Sequence, residues 1–141
     1  MLRVDALVGL IARQRALRSE TRARLRARFA FKCDEERFVT TLLRRRSNFW
    51  AFRSGQDAFC GDFVLVDMSC PSPEQRPVYV LELKRGAARL SAGRADVQLR
   101  NAPRAVAQIA SETGIIAADA AFETLTGSAD VVLSHFGVDV H

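Results

Sequence analysis

The chain has 141 residues, 48% of them apolar and 26% charged, proportions that exclude a disordered tail, a collagenous repeat and a disulfide-stapled miniprotein. One hydrophobic core and one site are expected at that length. The formal charge of +5 is unevenly spread: residues 1–46 carry 13 basic and 5 acidic side chains, residues 47–104 carry 8 and 6, and residues 105–141 carry none and 5. A basic N-terminal third suits a polyanion, because neutralised phosphates release counterions. With 19 arginines against two lysines, an arginine-rich coding bias accounts for the same excess.

Uncharged runs such as Ile115–Ala118 and Val131–Ser134 fall far short of a bilayer span, so no membrane is expected. The apolar stretch 6–12 runs into arginines rather than a small-residue cleavage site, which points to the cytoplasm. Cys33, Cys60 and Cys70 form an odd set without a CxxC pair and read as free thiols; a zinc cluster with His135 is a minor alternative.

In chain order, the spacing of Val4, Leu7, Val8, Ile11, Leu17, Leu25 and Phe29 predicts a long basic amphipathic helix to about Phe31. Its narrow apolar stripe needs a partner: the domain body, a second copy in a homodimer, or nucleic acid. A second helix is expected from Asp34 to about Arg46, with Phe38, Val39, Leu42 and Leu43 on one face. Residues 48–61 hold Phe49, Trp50 and Phe52 as a short strand and turn; the aromatics suit core packing better than base stacking. Phe63–Met68 and Val78–Lys84 form a hairpin around a proline-rich loop of about nine residues. Arg85–Arg94 reads as a loop, and a helix follows from about Ala95 to Thr113, kinked at Pro103 and ended by Gly114. Ile115–Ala118 and Val131–Ser134 read as two final strands, joined by an irregular or short helical stretch around Phe122.

One segment carries chemistry. In Val78-Tyr79-Val80-Leu81-Glu82-Leu83-Lys84, strand alternation puts Glu82 and Lys84 on one face at the end of an apolar run. Desolvating such a pair is costly unless the charges meet a metal, a substrate or each other. With Asp62 on the adjacent strand, two carboxylates can converge on an oxygen-loving cation, Mg²⁺ or Mn²⁺, while the lysine orients a water for attack on a phosphodiester. Asp67, on the opposite face and near the turn, is the runner-up metal ligand, although that position suits a solvated hairpin residue better. Lys84 is also a lysine where arginine dominates, and an ammonium approaches a water more closely than a guanidinium does. The plainer reading of Glu82 and Lys84 is a surface ion pair.

Asp62, a 19-residue interval and Glu82-Leu83-Lys84 resemble the D…(D/E)xK signature of the PD-(D/E)xK nuclease superfamily, over residues 33–118. The resemblance implies a restriction-endonuclease-like α/β fold, a central mixed sheet flanked by helices, and a Mg²⁺-dependent nuclease acting on DNA. It implies Asp62 and Glu82 as metal ligands, joined by the carbonyl of Leu83. Lys84 would position the water. Glu35, slightly preferred to Glu36, would be the acid from the preceding helix, and Gln98 would be the glutamine of the following one. Arg85, Arg89, Arg94 and Arg100 would clamp the substrate backbone. The chain departs from the pattern at Gly61, in place of proline, and at Ala102, where many members have tyrosine. A nuclease-like binding module without turnover, serving as a subunit of a larger assembly, is the alternative.

Overall fold

A computed structural model of the chain describes residues 2–5, 33–53, 63–84, 91–92 and 102–139. The predicted basic helix therefore lies almost wholly outside the described residues. Leu2–Arg3 is a strand, β1, antiparallel to β2 (Phe49–Arg53), and Asp5 is helical, one residue after the expected start at Val4. Val4 is fully buried and donates its N–H to Ala51 O at 2.8 Å. A β-branched residue that completes a sheet edge gains more there than as one step of an amphipathic stripe.

Helix α1 (Cys33–Arg45) matches the expected second helix, with Phe38, Val39 and Leu42 buried and Arg44 and Arg45 in the last turn, where cations complement the helix dipole. β2, β3 (Phe63–Asp67) and β4 (Val78–Lys84) form an antiparallel meander. The loop between β3 and β4 contains a single 3₁₀ turn, Pro73–Gln75. The two-residue β5 (Ser91–Ala92) interrupts what reads in the sequence as a loop. The described part of the next helix, α2 (Ala102–Thr113), buries Ala102, Ala105, Val106, Ile109 and Ala110 along one stripe. The expected start near Ala95 lies outside the described residues, and Pro103 stands at the second described position of the helix. Gly114, at φ +69°, ends it and donates to Ala110 O at 2.9 Å.

Two expectations fail after that point. Ile115 and Ile116 are buried against α2 in a turn, not a strand. The strand is β6 (Glu123–Ser128), and residues 131–134 belong to helix α3 (Ala129–His135). Capping decides the second case over β-branching: Ser128 Oγ accepts from Val131 N at 3.3 Å, and Asp130 favours the first turn. At the other end Gly137 (φ +74°) donates to Ser134 O and Val138 to Leu133 O, both at 3.0 Å, a Schellman stop sealed by the buried Leu133 and Val138.

The sheet order is β1-β2-β3-β4-β6-β5, with β6 parallel to β4 across the α2 crossover. One face packs α1 and α3 over Phe49, Ala51, Phe63, Leu65, Leu81 and Leu125. The other packs α2 over Phe52, Val64, Val66, Val78 and Val80. The result is a mixed sheet between helices, as expected. Among the described residues no helix is long and apolar enough to cross a membrane.

Asp67 holds the hairpin end of the meander. Its Oδ1 accepts from Asn48 Nδ2 at 2.8 Å, Ser69 N at 3.0 Å and Ser69 Oγ at 2.6 Å. Partial burial raises its pKa, but the side-chain and backbone hydrogen bonds from Ser69, the Asn48 amide and the charge of Arg46 outweigh that and leave it below the ordinary 3.8. A depressed carboxylate contributes stability above its unfolded pKa and loses it as pH falls through the folded one. Asp67→Ala should therefore cost about 1–3 kcal/mol near neutral pH. The gap to the parent chain, read by urea unfolding, should close only as the pH drops below 3.8.

Candidate functional site

The register brings the charged residues to one end of the sheet. Arg53 closes β2, Phe63 opens β3 opposite Leu81, and Glu82 and Lys84 end β4. β6 arrives there in parallel, with Thr126 beside Glu82 and Ser128 beside Lys84.

Two acids enter this end from opposite faces. Glu82 and Lys84 continue the row of Val78 and Val80 on the α2 face, as alternation predicts, while Leu83 packs with the α1 and α3 cluster. The Glu82 side chain is 11% exposed and that of Lys84 36%, with Lys84 Nζ 4.0 Å from Glu82 Oε1. Oε2 of Glu82 is shielded from solvent. The polar end of β4 is therefore half sunk in the fold and is more than a solvated surface pair. Leu65 and Leu81 mark the α1 face, where Glu35 meets Arg53: Oε2 lies 2.9 Å from Nη2, with the two side chains 5% and 13% exposed. The Arg53 guanidinium also lies 5.3 Å from the centre of the Phe63 ring.

Glu35 thus forms an ion pair with Arg53 on the α1 side. Glu35 is singled out from the sequence and Arg53 is missed, although the alternation Phe49, Ala51, Arg53 is a signal that places it on the α1 face. Asp62, Gln98, Arg85, Arg89, Arg94 and Arg100 lie outside the described residues, as does the side chain of Glu36. Asp67 is engaged in the hairpin. Phe49 and Phe52 are core residues of the two faces, and Trp50 carries the Arg3 guanidinium 3.4 Å from its ring centre. Trp50, Phe49 and Phe52 are packing residues. His135 is exposed at the end of α3 against Phe136, and Cys70 is half-buried in the hairpin loop. Among the described residues no group of three His, Cys, Asp or Glu side chains could hold a metal.

The chain matches no protein-family model, no curated protein and no solved structure.

The buried pair can be tested directly. Removing one partner strands a charge in the fold, whereas replacing both with apolar groups of similar size removes the desolvation cost along with the attraction. Arg53→Met alone should destabilise the protein by about 3–5 kcal/mol. Adding Glu35→Leu should recover most of that loss in chemical denaturation.

Proposed function

We propose that the protein is a Mg²⁺-dependent nuclease of restriction-endonuclease-like fold that hydrolyses DNA phosphodiester bonds at the end of β4. The carrying observation is the pairing of a nearly buried Glu82 with Lys84 on one sheet face, beside the C-terminal end of a parallel neighbour. The element order gives further support: helix, three-strand antiparallel meander, helix, and a strand parallel to the third of the meander.

The second carboxylate of this reading is Asp62. By sequence it stands two residues before Val64, whose side chain is on the same face as Glu82. The donor chemistry fits Mg²⁺ or Mn²⁺, hard cations that take carboxylate and carbonyl oxygens and keep several waters. Glu82 and Asp62, with the Leu83 carbonyl, would hold the ion. Once bound, it would offset phosphate charge and make a neighbouring water more acidic. Lys84 orients that water in line with the scissile bond and shares the negative charge that develops on the phosphoryl oxygens. The water oxygen adds to phosphorus and one P–O ester bond breaks. The leaving oxygen takes up a proton, giving a phosphomonoester and a hydroxyl end. The arginines at 85, 89, 94 and 100 hold the substrate backbone, and the basic N-terminal segment supplies further phosphate contacts or a homodimer contact. A cytoplasmic site of action belongs to the same reading.

Incubation of the protein with supercoiled plasmid and short duplexes should give cleavage with Mg²⁺ or Mn²⁺ and none with EDTA. Glu82→Ala and Asp62→Ala should abolish it, and Lys84→Ala should slow it by about a hundredfold or more. DNA binding that ignores metal and all three substitutions would identify a module without turnover.

A further inference from the structure

We propose that Thr126 is a substrate-contacting residue of this site, its hydroxyl donating a hydrogen bond to a non-bridging oxygen of the bound phosphodiester; the inference rests on the nuclease reading. β4 and β6 run parallel with Thr126 directly beside Glu82. Neighbouring strands lie about 4.8 Å apart, and paired residues point their side chains to the same face. Leu125 belongs to the α1 and α3 cluster, so Thr124, Thr126 and Ser128 face the α2 side with Glu82 and Lys84.

These three hydroxyls of β6 differ in their surroundings. Thr124 is buried beneath the crossover helix, level with Val80. Ser128 is buried, and its Oγ caps α3. Thr126 is half-open, level with the acid of the proposed site. A neutral hydroxyl there suits a phosphoryl oxygen: it adds a donor without repelling the cation. A β-branched residue on a strand also holds its hydroxyl in few rotamers, which keeps the donor aimed.

The test compares Thr126→Val, which keeps the shape and removes the donor, with Thr126→Ser, which keeps the donor. Affinity for a fluorescent duplex is read by anisotropy in Ca²⁺, Mn²⁺ affinity by electron paramagnetic resonance, and cleavage in Mg²⁺. Thr126→Val should lower both duplex affinity and kcat/KM by about tenfold or more, with Mn²⁺ affinity unchanged. Thr126→Ser should restore both to within about threefold, which also separates lost chemistry from lost folding. Unchanged binding and cleavage in Thr126→Val overturn the inference and leave the nuclease reading standing. An equal loss in Thr126→Ser, or a parallel loss of Mn²⁺ affinity, overturns it as well. A parent chain that binds the duplex but does not cut it removes the nuclease reading, and the anisotropy comparison then decides Thr126 alone. A parent chain that neither binds nor cuts overturns both.

Discussion

β4 is the constraint on which the rest of the molecule depends. It is hydrogen-bonded on both edges, to β3 and β6. Leu81 and Leu83 press into the cluster under α1 and α3, while Val78 and Val80 press into the one under α2. A strand hemmed in on four sides has one register, because a slip by a single residue would exchange the two faces. That rigidity fixes the direction of Glu82 and Lys84 at its end. The carboxylate needs no loop to aim it, since the same alternation that fills the two cores orients it.

The parts of the fold legible in the sequence are those where one local signal dominates. Val78–Lys84 is legible from its apolar run and the proline-rich turn before it, and α1 from the 3.6-residue spacing of Phe38, Val39 and Leu42. The last third is not. Glu123–Ser128 contains Thr, Gly and Ser with a single leucine, and it becomes a strand because β4 offers it a parallel ladder. Val131, Val132 and Leu133 favour a strand by residue type, yet the cap at Ser128 and the glycine stop at Gly137 enclose them in a helix. Tertiary pairing and end-capping outweigh intrinsic preference at both places.

The candidate site divides along the same line. The shared face of Glu82 and Lys84 follows from period-two alternation, so the sequence suffices for it. The partner of Glu35 does not follow, because Arg53 is reached only when β2 is laid against the start of α1. A charged residue ending an aromatic strand carries no local mark of the helix acid it will meet. The same is true of Thr126, whose neighbour across the sheet is more than forty positions away in the chain, from Glu82 to Thr126.

The short β1 has a consequence for how the molecule meets other molecules. By pairing with β2 and burying Val4, it covers a row of amides that would otherwise stand open beside Trp50 and Phe52. Loss of the first few residues would expose an apolar, aromatic strand margin of the kind that templates intermolecular β-stacking. The two-residue strip that covers this edge lies opposite Phe52 and Arg53, so the same pairing also borders the polar end of the sheet.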